Sequence, residues 1–325
     1  MFKVSHKRSV AKRSGWYLSF PDIIKHPRYS KVFYLVYREG NQHHPTWSNL
    51  VLMKTEDEGK RWEKINVFPM NLEGNGRVWN CPRLFYEKST NTIDIVCDTK
   101  SGTRERIADF KTFFIRMANS KDYYLDLVPF TGMVPDKIIS FKNKLFCANH
   151  KIKSPKNDLI QLVNWSEDGG ICWYDCNVVA HDFFCQFCEA SLVNVDDEYL
   201  IAYLRDNSDH RKPVRYVKSK DGINWSQPEI LGDIVGHRVT AIRYRDMIIG
   251  SYRNTEKVSV SLFYHPIGKE NEVKYINVDS DYKLNLYHYG YTGISITNDE
   301  DLLLTYYIKK LSSSPHIRVA TLNKI

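Results

Sequence analysis

The sequence is short of cysteine, short of glycine and lacks any long apolar run. Seven cysteines in 325 residues are too sparse, and odd in number, for a disulfide-stapled framework. No window approaches 18 consecutive apolar residues, which excludes a membrane-spanning helix. The N-terminal stretch MFKVSHKRSVAKRSGW is basic but has no apolar core, so it is not a secretory signal. The expectation is therefore a protein without membrane insertion, cytoplasmic or released, as on a virion. There is also no RNP-like motif, no helix-turn-helix pattern and no zinc-finger histidine pair. The net charge of +8 is spread along the chain, apart from Lys7, Arg8, Lys12 and Arg13 in a solvated basic arm. No nucleic-acid partner is expected from it.

What is abundant is strand. Aromatics make up 13% and hydrophobics 42% of the chain, which excludes a disordered tail. Helix signals are weak throughout. Runs rich in β-branched and aromatic residues recur at Val32–Tyr37, Thr92–Val96, Thr112–Arg116, Leu159–Val163, Leu200–Leu204, Met247–Ser251, Val258–Tyr264 and Leu302–Tyr307. Turn residues bound them at short intervals. Three hundred residues of short strands mean paired sandwiches, a barrel or a propeller.

A repeat decides among these. Thr55-Glu-Asp57-Glu-Gly59-Lys-Arg-Trp62 and Ser166-Glu-Asp168-Gly-Gly170-Ile-Cys-Trp173 share the pattern [ST]-x-D-x-G-x-x-W, and Ser219-Lys-Asp221-Gly222-Ile-Asn-Trp225 is one residue shorter. A hydroxyl and a carboxylate two residues apart can cap backbone N–H groups in a tight turn. The glycine supplies a positive φ, and the tryptophan packs the hairpin on its neighbour. The pattern resembles the Asp-box, or BNR repeat, of the sialidase superfamily. That resemblance implies an all-β fold, a six-bladed β-propeller over residues 1–325 as a single domain. Its blades would fall roughly at 17–68, 77–128, 131–178, 183–232, 236–278 and 287–325. Ser120-Lys-Asp122 is a candidate decayed copy of the turn, and the N-terminal segment is expected to pair with the last blade.

Propeller ligands bind where the innermost strands converge, at the starts of the repeating units. There Glu189 enters a strand among Phe187, Cys188, Ala190 and Leu192, and Arg205 ends the next one. A carboxylate in such apolar company wants a partner or a function. By resemblance, Glu189 is the base beside a nucleophilic tyrosine and Arg205 clasps a substrate carboxylate; a turn salt bridge is the other reading. Tyr291, in Tyr287-His-Tyr-Gly290-Tyr291, looks like that nucleophile, which needs a carboxylate base because a phenol titrates near 10. In the first unit the family's Arg-Ile-Pro is replaced by Ser19-Phe20-Pro21-Asp22, so one arginine of the family is missing and Asp22 is a candidate contact. Arg38-Glu-Gly-Asn-Gln-His43 keeps a second family arginine but has His43 where the family has its aspartic acid. His43 is the candidate acid, with His44 an adjacent alternative. Arg77 and Asn80 open the second unit. His237, Arg238 and Arg253 belong to the fifth, where either arginine could fork onto a carboxylate.

Nothing in the sequence calls for a cofactor. Cys172, Cys176, Cys185 and Cys188 around His181 do not have good zinc-ribbon spacing, and buried free thiols are expected instead. Two functions follow from the resemblance: a sialidase-like exo-glycoside hydrolase acting on an acidic glycan or small anionic sugar, or a non-catalytic propeller binding glycan or protein, such as a phage adhesin or host-interaction factor. A lyase using His and Tyr is a further alternative.

Overall fold

The computed structural model describes residues 2–70, 76–101, 109–118, 122–153, 158–182, 184–280, 288–309 and 314–325. Among the described residues there are twenty-four strands and no helix. They fall into two compact units, residues 1–128 with 281–325, and residues 129–280. Ser120 and Tyr287 lie outside the described residues.

In the first unit, β1 (Phe2–Ala11) precedes β2 (Tyr17–Lys25), β3 (Phe33–Gly40), β4 (Ser48–Thr55) and β5 (Glu63–Pro69), of which the last four form one antiparallel sheet in chain order. A second sheet follows. Its inner edge is split into β6 (Arg77–Trp79) and β7 (Arg83–Glu87), both paired with β8 (Thr92–Ser101), and β9 (Lys111–Met117) and β10 (Tyr123–Val128) complete it.

In the second unit, β11 (Ile138–Phe141), β12 (Lys144–Lys153), β13 (Asp158–Ser166) and β14 (Tyr174–Ala180) form one sheet. Then come β15 (Phe187–Val195), β16 (Tyr199–Asp206), β17 (Pro213–Ser219), β18 (Glu229–Tyr244), β19 (Met247–Asn254), β20 (Ser259–Pro266) and β21 (Lys274–Ser280). These seven are continuous only because β18 serves two sheets. Its first half pairs with β17 through Glu229, Ile230 and Val235, and its second half pairs with β19 from Gly236 onward.

The chain returns to the first unit with β22 (Tyr289–Ile296), β23 (Leu302–Ile308) and β24 (His316–Lys324). β1 adds to β24, Phe2 opposite Lys324 and Ala11 opposite Ile317, so the N-terminal segment does pair with the last sheet.

The cores lie between the faces of successive sheets. In the first unit Val36, Leu50, Leu52 and Phe68 pack against Trp79, Leu84, Ile95 and Ile115. In the second, Phe141, Phe146 and Val163 pack on Phe187, Leu192 and Leu204, and Val193, Ile201 and Tyr203 pack on Ala241, Ile248 and Phe263. Each such side chain contributes roughly 1.5–3 kcal/mol by leaving water. Middle strands buried on both faces are mostly apolar, with buried polar residues such as Asp94 and Gln161 hydrogen-bonded to neighbours, and so they stand out as runs in the sequence.

The three repeated turns share one hydrogen-bond pattern, between the third and fourth strands of their sheets. The Thr55, Ser166 and Ser219 hydroxyls donate to Asp57, Asp168 and Asp221 at 2.8, 2.8 and 3.0 Å. They accept from the N–H groups of Gly59, Gly170 and Gly222 at 3.0, 2.9 and 2.8 Å. These glycines have φ of 83°, 94° and 77°. The Trp62 and Trp173 indoles donate to the Gly59 and Gly170 carbonyls at 3.1 Å. The Cys172 N–H, the Ser166 hydroxyl and the Ile171 N–H hold the Asp168 carboxyl down at about 2.

Candidate functional site

The inner strands carry one recurring irregularity. Opposite their second strands, β2, β15, β18 and β22 each place an extra residue between Ser19 and Asp22, Cys188 and Ser191, His237 and Thr240, and Gly290 and Gly293. The residue after the first of each pair is left-handed: Phe20 at φ 54°, Glu189 at 50°, Arg238 at 49° and Tyr291 at 43°. Val134, at 52°, takes the same place ahead of β11, between the Met133–His150 bridge and the Asp136-to-Ala148 bond. A non-glycine residue held there costs about 1–3 kcal/mol, and such bulges re-aim side chains beside functional sites.

The register fixes a second row. The residue before each bulge lies opposite Arg38 on β3, His150 on β12, Arg205 on β16, Arg253 on β19 and Tyr307 on β23. Arg38, Arg205 and Arg253 are legible in the sequence as arginines ending strands. His150 and Tyr307 are not singled out by sequence, because only the register equates them with those arginines.

In the first unit, Arg38 is fully buried. Its Nη2 donates to the His43 carbonyl at 2.8 Å, while Nε and Nη1 have no hydrogen-bond partner among the described residues. Its guanidinium carbon stands 4.4 Å above the Phe20 ring. Among the described residues no carboxylate pairs with it. Burial lowers its pKa, with Cys81, Tyr17 and Tyr307 acting in the opposite sense. The Tyr291 ring meets Phe20 edge-on at 4.8 Å and lies 6.4 Å from Tyr307. The Tyr17 hydroxyl lies 3.2 Å from His43 Nδ1 and 3.1 Å from His288 Nδ1. His43 is half-buried, and His44 is exposed, with its Nδ1 3.4 Å from the Lys100 Nζ. The structure thus brings Arg38, His43 and Tyr291 together with Tyr17, Phe20, His288 and Tyr307.

Other first-unit candidates are held by neighbours. Arg77 is tied to the Asp109 carboxylate and carbonyl and to the hydroxyl and carbonyl of Thr99, so its fork is occupied within its own sheet. Asn80 donates to Asp98 at 3.0 Å. Asp22 accepts from the Leu84 N–H at 2.9 Å and links the first sheet to the second.

In the second unit, Arg205 donates to Glu189 in a largely buried ion pair and also reaches Asn207. Glu189 and Arg205 are thus bonded to each other, the salt bridge that the sequence offers beside their separate roles. The Glu189 N–H donates to His150 Nδ1 at 3.4 Å, and the next N–H, that of Ala190, donates to Gln161 at 3.0 Å. Arg238 is fully buried and bonded to Asp136 at 2.9 Å. Burial, Arg205 and Arg253 push His237 down to about 3. Burial pushes His150 down to about 4, against the pull of Glu189. Both imidazoles are therefore held neutral beside a cationic cluster, and His150 Nδ1 is an acceptor.

Among the described residues no group of three His, Cys, Asp or Glu side chains is arranged to hold a metal. Cys185 and Cys188 are buried thiols, but Cys172 is exposed, because its turn points it outward where a buried thiol was expected. The Cys176 side chain lies outside the described residues. Among the described residues no helix is long and apolar enough to cross a membrane.

No family model and no curated protein matches the chain. Solved structures do resemble it. A protein of unknown function from Dyadobacter fermentans is 17% identical over 100% of this chain and 99% of that one, with a TM-score of 0.82. The NanB sialidase of Streptococcus pneumoniae is 12% identical over 98% of this chain and 69% of its own, at 0.72. An α-L-arabinanase of Penicillium chrysogenum, complexed with arabinobiose, is 13% identical over 98% of both chains, at 0.73. At these identities the likeness is one of fold: this is an all-β chain with a sialidase-like β-propeller fold, the fold also of arabinanases.

Proposed function

We propose that the chain is a single six-bladed propeller domain with Asp-box turns, and that it is a glycan-active enzyme, an exo-acting glycoside hydrolase of sialidase type for an acidic sugar (a sialic or uronic acid). The observation that carries this reading is Arg38. A buried guanidinium with no carboxylate and two unmade donors is costly, by several kcal/mol at about ε 20 and below. A substrate carboxylate supplies the missing charge and acceptors. In the first unit His44 is a further polar candidate; in the second, Arg205 and Arg253 hold the register position that Arg38 holds in the first and are candidate anion contacts there, with His237. Arg238 and Arg77 serve their ion pairs. The roles of Tyr291 as nucleophile, Glu189 as its base and His43 as acid rest on the family resemblance.

A second reading, a non-catalytic glycan- or protein-binding propeller, is favoured by the Glu189–Arg205 bond, which already engages the carboxylate that catalysis needs. Wild type, Glu189→Gln and Tyr291→Phe are to be compared on fluorogenic sialosides and acidic oligosaccharides. Hydrolysis by wild type that is lost in both variants supports the enzyme. Turnover that survives Glu189→Gln removes Glu189 from the mechanism. Glycan binding without turnover assigns the binding module, and neither binding nor turnover refutes both readings.

A further inference from the structure

Lys100 is a cation of the first unit that carries no signal in the sequence. It lies near the end of β8, opposite Val78 and next to Thr99. Its ammonium lies 3.4 Å from His44 Nδ1. The His43 and His44 rings meet edge-on at 4.7 Å, and the His43 carbonyl takes the Arg38 Nη2 proton. The loop between β3 and β4 therefore has a fully buried cation behind it and a half-buried one at its surface. No carboxylate is bonded to either cation among the described residues. Asp98, the acidic group that acts on Lys100, is turned to the Asn80 amide and the Cys81 N–H.

Two positive charges so close repel each other, and burial sharpens the repulsion. The effect is visible on Lys100, whose pKa is lowered by burial first and by Arg38 second. Like charges gathered without a counter-ion are unfavourable in the free protein and favourable once an anion arrives. Arg38 is fully buried and Lys100 half-buried, so of the two cations Lys100 is the one nearer solvent.

We propose that Lys100 is an anion-binding residue, which together with Arg38 recognises the carboxylate of the sugar and supplies the positive charge missing at Ser19-Phe20-Pro21. This rests on the acidic-sugar reading above. It assigns the role to a lysine, a point charge that can lose its proton, in place of an arginine, which cannot.

The test is calorimetric binding of N-acetylneuraminate and galacturonate, with neutral galactose as reference, to wild type, Lys100→Met and Lys100→Arg. Lys100→Met is expected to weaken the two acids about tenfold, the effect of one charge-assisted hydrogen bond, and to leave galactose unchanged. Wild-type affinity for the acids is expected to fall as pH rises, starting below the range of an ordinary lysine. That fall should vanish in Lys100→Met and move to higher pH in Lys100→Arg. Acid binding that is equal in Lys100→Met and wild type overturns the role of Lys100 and leaves the acidic-sugar reading standing. Failure of wild type to bind either acid overturns both. Equal weakening of acids and galactose marks Lys100 as merely structural and also overturns the proposal.

Discussion

His150 should make the protein lose stability in mild acid, by an amount the structure sets. Its ring is buried and neutral, and its Nδ1 accepts the N–H that holds Glu189 in its left-handed conformation. Protonation would set a ring N–H against that N–H and add a charge beside Arg238 and Arg205. In the folded chain His150 titrates at about 4, against an ordinary value of 6.5. Between these two values the unfolded chain binds a proton that the folded chain refuses. The stabilisation is complete above the ordinary value, declines as pH falls, and is gone below the folded value. The gap corresponds to about 3 kcal/mol at 1.36 kcal/mol per unit. His237, pushed down to about 3, acts in the same direction. Urea denaturation from about pH 7.5 to about pH 4.5 measures the slope. His150→Gln keeps an acceptor oxygen for the Glu189 N–H and removes the titration. Wild type should lose about 2.5 kcal/mol more than His150→Gln across the interval, the rest of the gap falling below it. Parallel curves for the two proteins would refute the reasoning, whatever other groups contribute, because those are common to both.

Two further outcomes concern the sheets. A Cβ on Gly293 would stand 2.7 Å from the Ile23 nitrogen and 2.8 Å from the Asp22 Cα, so Gly293→Ala should cost about 1–3 kcal/mol by forcing β22 away from β2; an unchanged Tm would show that the two strands are free to part. Thr55→Val removes the acceptor of the buried Gly59 N–H and should cost about 1–3 kcal/mol in denaturant unfolding, whereas Thr55→Ser should cost little; no loss in Thr55→Val, or a larger loss in Thr55→Ser, would show that the hydroxyl does not hold the turn.

The sequence made the fold legible where physics repeats itself. The eight apolar runs are second or third strands of their sheets, such as β3, β9, β16 and β23, covered on both faces and so written as continuous apolar stretches. First and fourth strands escape that reading. β5, β10 and β21 alternate with exposed positions, and the first strands are broken by bulges. The turns were legible because three copies do the same job with the same atoms. The candidate site was legible only in part. Arginines at strand ends could be found, and the Glu189–Arg205 salt bridge is one of two readings of that pair, but Asp109 for Arg77 and Asp136 for Arg238 come from positions that sequence order does not relate. Lys100 and His150 carry no local pattern at all and become visible only through the register of β8 and β12.

The contrast between turns and bulges explains why family resemblance is carried by one and not the other. A turn that caps its own backbone needs the same hydroxyl, carboxylate and glycine wherever it occurs, so its residues recur. A bulge needs only the backbone excursion. Phe20, Val134, Glu189, Arg238 and Tyr291 share that excursion and nothing else in their chemistry. The left-handed conformation is disfavoured for every one of them, so local propensity does not select it. The ladders on either side impose it, closing Ser19 on Arg38 and Asp22 on Val36, and likewise Cys188 on Arg205 and Ser191 on Tyr203. The strain is thus a property of the sheet, and the side chain at each bulge is free to differ. One fold can in this way hold a ring for stacking on Arg38, a carboxylate for Arg205 and a phenol between Phe20 and Tyr307, each fixed by the same backbone geometry. A change of side chain at such a position alters the chemistry that the strand carries without disturbing the strand itself.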